Sequence, residues 1–186
     1  TSNEDIEWKI HISTSQERIS NYYEVRTDRK NIENDTKEAD IVSTRITQLL
    51  SEKAFQFSPA ELFLIHKRLF TGVFKHAGEI RSYNISKKEW VLKGDSVFYA
   101  SFESIKDTLD YDFNQEKAFS YEGLTIQKAI EHISDFTAGI WQIHPFCEGN
   151  TRTTAVFILK YLSTFGFSLS NSVFAKNSWY FRNALV

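Results

Sequence analysis

Methionine is absent from all 186 positions, cysteine occurs once, proline twice and glycine seven times. Each scarcity excludes something. The single Cys147 rules out an internal disulfide framework and most thiolate metal sites, and it fits a reducing compartment. Close to a proline and an aromatic residue, it reads as an inert, small apolar side chain rather than a nucleophile. Neither charge sign dominates: the formal net charge is -2, so no global basic field exists to hold nucleic acid through its phosphates. Long hydrophobic runs are missing too. The longest, Ala155 to Leu159, is far too short to span a bilayer, and no basic segment followed by an apolar stretch opens the chain. A soluble, unexported protein of the cytoplasm is expected, with no membrane partner. The lack of an initiating Met, and an end at "WYFRNALV" in mid-pattern of an apolar helix, lead us to expect a processed or partial gene product with residues beyond Val186.

What is present is an ordinary globular composition, 41% hydrophobic and 25% charged, in which 16 phenylalanines predict an aromatic core. The length suits one compact unit. With Gly and Pro scarce and apolar positions mainly at helical spacing, the fold class is mainly α. Ile41, Val42, Ile46, Leu49 and Leu50 make one helical face. In "SPAE", Ser58 caps, Pro59 takes the first helical position, and a helix runs through Leu62, Ile65 and Leu69. Residues 80–100 break that rhythm; Ile85, Trp90, Leu92, Val97 and Tyr99 suit extended structure and "KGDS" supplies a turn, so a β-hairpin is expected there. Phe102, Ile105 and Leu109 resume helical spacing. Thr125 opens a long helix whose buried stripe would be Ile126, Ala129, Ile130, Ile133, Phe136 and Ile140. A further helix is expected from Thr153 to about Phe165, closed by Gly166, and a last one from near Ser170 to Ser172.

Between those two long helices lies "IHPFCEGNTRTTAVF", residues 143–157, where polar chemistry is concentrated. A residue before proline is pushed out of helical geometry, so the long helix should end at about His144, leaving its imidazole facing the loop. Gly149, Asn150 and Thr151 lead into the next helix, whose first N–H groups have no internal partners; with Arg152 beside them they make an anion site. Glu148 would repel an anion there unless a hard cation bridges it to phosphate oxygens, as Mg²⁺ commonly does. His144 titrates near neutrality and is suited to take a proton from a hydroxyl. Each residue alone is ordinary: a helix-end histidine, a surface acid, a solvated arginine, and Phe146 as a core plug. Together they describe phosphoryl or nucleotidyl transfer.

The segment "HPFCEGNTR" resembles the active-site motif of the Fic family: His, any residue, Phe, any residue, Asp or Glu, Gly, Asn, Gly, Arg, two free positions and a second Arg. His144, Phe146, Glu148, Gly149, Asn150 and Arg152 all match. "GEIRSYNISK" resembles the segment that precedes the family's hairpin flap, and the resemblance runs over residues 55–186, with residues 1–54 as a helical N-terminal extension. It implies a helical fold with a small β-hairpin flap, and transfer of AMP from the co-substrate ATP to a Ser, Thr or Tyr hydroxyl of a target protein or of the chain itself. In that picture His144 is the base, Glu148 holds Mg²⁺, and Phe146 anchors the loop. Gly149, Asn150, Thr151 and Arg152 position the phosphates. The flap, with Ser82, Tyr83, Asn84, Ile85, Ser86 and Lys87, pairs with an extended target segment. Homo-oligomerisation stays open.

Two positions depart from the pattern: Thr151 stands where the family has glycine and Ala155 where it has the second arginine. The first limits backbone approach to a phosphate; the second removes a bidentate contact. Alternatives therefore stand beside adenylyl transfer: use of another nucleotide, a kinase-like reaction as in the Doc branch, or a catalytically silent protein-binding module. The family's inhibitory pattern, Ser or Thr followed four residues later by Glu, has its spacing at Ser13 to Arg18 and Ser20 to Val25 without the Gly or Asn that should follow. His11, His66 and His76 form no zinc-ligand spacing, His132 reads as structural, and Lys87, Lys88 and Lys93 as solvated edge charges.

Overall fold

The computed structural model describes residues 29–88, 92–167 and 184–185. Its contacts divide the chain into two units, Thr1–Ile41 and Val42–Val186. Among the described residues there are five helices, α1 (Arg29–Ser51), α2 (Pro59–Phe70), α3 (Ile105–Ala118), α4 (Ile126–Ile143) and α5 (Asn150–Thr164). One antiparallel hairpin, β1 (Ser86–Lys88) and β2 (Ser96–Phe98), is set between α2 and α3. The mainly α class with a small hairpin is as the composition and periodicity led us to expect. No described helix is long and apolar enough to cross a membrane. Trp90, the expected last helix near Ser170 and the Ser13–Arg18 and Ser20–Val25 stretches lie outside the described residues.

Local chemistry sets the helix boundaries. Extended Ser58 accepts the Glu61 N–H at 3.2 Å and Pro59 fills the first turn of α2, where its missing donor goes unneeded. Thr125 caps α4 through the Lys128 N–H at 3.3 Å. Helix α5 starts three residues earlier than its apolar pattern suggests, at Asn150 rather than Thr153. The reason is Gly149, whose left-handed φ of 78° turns the chain into the helix at once.

The core of the second unit gathers Leu62, Ile65, Leu69 and Phe70 of α2, Ile105, Leu109 and Phe113 of α3, Ile140 and Ile143 of α4, and Val156, Phe157 and Ile158 of α5. Each such side chain, fully withdrawn from water, contributes about 1.5–3 kcal/mol. Aromatic packing is prominent, as the phenylalanine count predicts: Phe57 meets Phe113, Phe157 and Tyr161 at ring distances of 4.9, 5.8 and 4.4 Å. Lys160 is buried within this apolar helix, yet its ammonium donates to the carbonyls of Leu49 and Glu52, both at 2.8 Å, and so closes the C-terminal end of α1.

The stripe expected on α4 is only partly buried. Ile140 is at 0% exposure and Ile133 and Phe136 pack on the core, but Ile126 and Ile130 are 62% and 53% exposed. The apolar side of α4 is longer than the surface α3 and α5 offer it. Its first two turns therefore line an open apolar groove with Ile158, Leu162 and Phe165.

In the hairpin, Ser86 pairs with Phe98 and Lys87 with Val97. Lys93 and Gly94 both take positive φ inside a turn closed by Asp95 N–H to Leu92 O at 3.1 Å. Its inner face forms a second small cluster in which Val97, Tyr99 and Trp141 are buried and Ile85 and Leu92 pack against them. The flap is thereby seated on the last turn of α4.

Candidate active site

Between α4 and α5 six residues make a tight loop, and nearly every inward-facing group in it is held. Phe146 is 1% exposed and stacks on His66 at 3.7 Å and 9°. Buried Asn150 grips the backbone of Phe146 twice, accepting its N–H at 3.0 Å and donating to its carbonyl at 2.8 Å. The His66 ring spans the loop from below: its Nδ1 accepts the Gly78 N–H at 2.8 Å and its Nε2–H donates to the Glu148 carbonyl at 3.0 Å. That assignment requires a neutral ring, and burial, the first cause, with the charges of His76 and Arg152 adding to it, brings the His66 pKa down to about 4. Gly149 can be nothing larger, since a Cβ there would come within 2.5 Å of the Phe70 ring.

His144 ends α4 in the left-handed region, φ 53° and ψ 59°. Its Nδ1 lies 3.1 Å from the Trp141 carbonyl. A carbonyl only accepts, so Nδ1 carries the hydrogen and, in the neutral ring, Nε2 keeps the lone pair. Tyr99 stacks on one face of the imidazole, 3.9 Å between centroids, and Trp141 meets it at 89°.

Behind the histidine sits Arg81, 2% exposed. Its guanidinium donates to the carbonyls of His144 at 2.8 Å, Ile143 at 3.3 Å, Tyr83 at 2.6 Å and Ala100. Two of these belong to the C-terminal end of α4, where cations are favoured, and two flank the flap. One side chain thus ties the hairpin to the end of the helix that carries His144.

On the outer side the groups are different in kind. Glu148 is exposed. The first turn of α5 holds no acidic residue, and Arg152 lies there with its guanidinium 4.7 Å above the Phe70 ring. Stacking on a ring orients this cation. The start of α5 is thus a helix N-terminus without acidic residues that carries an arginine, one loop away from a histidine. Thr151 accepts the Trp141 indole N–H at 3.0 Å.

A protein-family model, described as the Fic/DOC family, matches residues 56–162. The chain belongs to the Fic/DOC family. Among solved structures, its fold is similar to the N-terminal Fic domain of a Bartonella effector protein from Bartonella sp. AR 15-3, with 24% identity, TM-score 0.63, and 76% of this chain and 67% of that one covered. It is similar to BepC of Bartonella tribocorum, solved with AMPPNP bound, at 24% identity and TM-score 0.60 over 76% of this chain and 72% of that. It is also similar to a VirB-translocated effector Fic domain of Bartonella quintana, solved with ADP, at 20% identity and TM-score 0.63 over 80% and 74%. No curated protein matches the chain.

Within this Fic fold the residues singled out by sequence take distinct places. His144, Phe146, Glu148, Gly149, Asn150, Thr151 and Arg152 share one loop and helix start. Asn150 turns its side chain inward, onto the loop itself. Of the flap residues, Ser82, Tyr83, Asn84, Ser86 and Lys87 are exposed and Ile85 is half-buried. Asn84 accepts the Phe102 N–H at 2.9 Å, which pins the flap's entry. Sequence reasoning placed Tyr99 in the hairpin and found no metal spacing for His66, but it gave neither of them, nor Trp141 or Arg81, a role at the site. A signal for His66 existed: it falls in the buried stripe of α2, between Ile65 and Leu69, where an unpaired polar ring would not be tolerated.

Proposed function

We propose that this chain is a protein adenylyltransferase, moving AMP from ATP to a Ser, Thr or Tyr hydroxyl of a protein. One observation carries the reading: a histidine with Nδ1 committed to the backbone lies one short loop from an acid-free helix start that bears Arg152. The target oxygen attacks the α-phosphorus, the bond to the β-phosphate oxygen breaks, pyrophosphate leaves, and the hydroxyl proton passes to Nε2 of His144. First-turn amides of α5 and Arg152 offset charge that builds on the phosphates. Nucleotides in the Bartonella Fic domains, AMPPNP in one and ADP in another, support a nucleotide as co-substrate.

Magnesium binds through one or two carboxylates plus substrate phosphates, so the single exposed Glu148 fits it, and bound there it would neutralise phosphate charge. The β1 edge of a two-stranded sheet suits main-chain pairing with an extended target segment. The test is transfer of label from α-labelled ATP to protein in the presence of Mg²⁺, lost in His144→Ala. Label arriving only from the γ-position would replace this reading with a kinase-like one, and no nucleotide binding by calorimetry would leave a protein-binding module.

A further inference from the structure

Accepting that His144 is the base, we infer that Thr151 and Tyr99 are its positioning residues, acting through a three-ring box that joins α4, α5 and the flap. Trp141 is the hinge of the box. Its carbonyl takes the Nδ1–H of His144 at 3.1 Å, while its indole N–H is held by Thr151 Oγ1 at 3.0 Å. The Trp141 ring meets His144 edge to face at 5.4 Å and Tyr99 at 5.6 Å and 76°. Tyr99, the residue after β2, closes the box by stacking on the imidazole at 3.9 Å and 27°.

A hydroxyl at position 151 gives this arrangement something a glycine cannot, an acceptor for the indole. The departure from the Fic pattern is thus tied to the base rather than to the phosphates. Backbone conformation makes such bracing necessary. His144 is one of only two non-glycine residues with positive φ among those described, and that conformation persists only when its surroundings over-determine it. The box does not obstruct proton transfer, because the Nε2 lone pair lies in the ring plane and Tyr99 covers a face. What it fixes is the direction of that lone pair and the tautomer that bears it, the service a general base needs from its orienting partner.

The tautomer can be read without any reaction. In protein labelled with ¹⁵N-histidine, the His144 signals are assigned by their loss in His144→Asn. Above its titration the wild type should show the Nδ1–H form at roughly nine-tenths or more, since the alternative form would face a carbonyl with a lone pair. Thr151→Val and Tyr99→Leu should convert this to a mixture, whereas Thr151→Ser and Tyr99→Phe, which keep the acceptor and the ring, recover the wild-type pattern. In the transfer assay the first pair should lower kcat about tenfold with KM for ATP within about twofold, the signature of a lost transition-state interaction. Trp141→Phe removes the indole donor alone. Combined with Thr151→Val it should add nothing further, as expected for two halves of one contact, and it serves if Tyr99→Leu does not fold.

A single Nδ1–H tautomer surviving in Thr151→Val and in Tyr99→Leu overturns the inference, as does Thr151→Ser behaving like Thr151→Val. If the wild type transfers no label at all, adenylyl transfer fails while the tautomer series still decides the positioning role.

Discussion

His132 within helix α4 and His144 at its C-cap stand in two polar regions built on opposite plans. Around His132, Glu116 is buried and its carboxylate accepts from Tyr121 and Tyr161 hydroxyls at 2.5 and 2.6 Å on one oxygen and meets His132 Nε2 at 2.6 Å on the other. Burial and that carboxylate push both phenols up, and Phe119 covers the His132 ring at 3.4 Å. Side chains there satisfy side chains, and the knot is closed. At the other end, around His144, side chains satisfy backbone: Arg81 on four carbonyls, Asn150 on Phe146, His66 on Gly78 and Glu148, His144 on Trp141. Backbone bonds shape a loop without cancelling its charges. Glu148 is exposed and Arg152 half-exposed on the outer side of that loop, where a structural knot would have drawn its polar groups inward.

The contrast predicts a double dissociation, and it is the largest effect expected. His144→Asn, a residue that tolerates left-handed backbone, should lower label transfer by about 10³-fold while shifting stability by about 1 kcal/mol or less. Glu116→Ala should do the reverse. Removing the shared acceptor strands the buried Tyr161 hydroxyl and the half-buried Tyr121 hydroxyl, and about 3–5 kcal/mol of stability should be lost in urea unfolding, with the rate per folded molecule within about twofold. A catalytic defect in folded Glu116→Ala would erase the distinction between the regions.

His66 sharpens it through pH. Its folded-state pKa lies near 4 against 6.5 for the free group. Between those values the unfolded chain binds a proton that the folded chain refuses, so stability is complete above about pH 7, falls as pH drops, and levels off below about pH 4. The loss between pH 7 and 5 should be about 2 kcal/mol. Urea midpoints of wild type and His66→Gln, compared across that range, isolate it: the gap between the two should narrow on acidification, and parallel curves would mean that His66 is not held neutral under the loop.

How much of this was legible beforehand depends on whether a role is local in sequence. Capping at Ser58 and Thr125 and the end of α4 before Pro145 follow from neighbours within four residues and could be anticipated, whereas the apolar pattern places the start of α5 three residues late because it does not register the left-handed Gly149. The chemistry-bearing residues of the loop could be grouped because they fall within nine positions. Arg81 and His66 could not, since their partners around the loop, the carbonyls of His144 and Glu148, lie more than sixty residues away and only packing brings them together. Asn150 is different: its partner Phe146 is only four positions away, yet nothing in the apolar pattern marks the two hydrogen bonds that turn its amide inward. Ile126 and Ile130 show the converse limit, for periodicity marks an apolar face without saying how much of it a neighbouring helix reaches.

Arg152→Lys is the finest probe of the outer, charged side of the loop. Both residues carry a full positive charge, so attraction of a phosphate to the start of α5 survives the change. What is lost is the planar group that lies 4.7 Å above Phe70 and can present two parallel donors. Stability should change by about 0.5 kcal/mol or less, because the site is half-exposed and lysine can still lie across the ring. Nucleotide affinity should fall by about three- to tenfold, the loss of one bidentate geometry with charge retained. Calorimetric titration of AMPPNP into both proteins with Mg²⁺ measures it. Equal affinities would place the phosphates away from Arg152 and leave the helix amides as the anion cradle on their own.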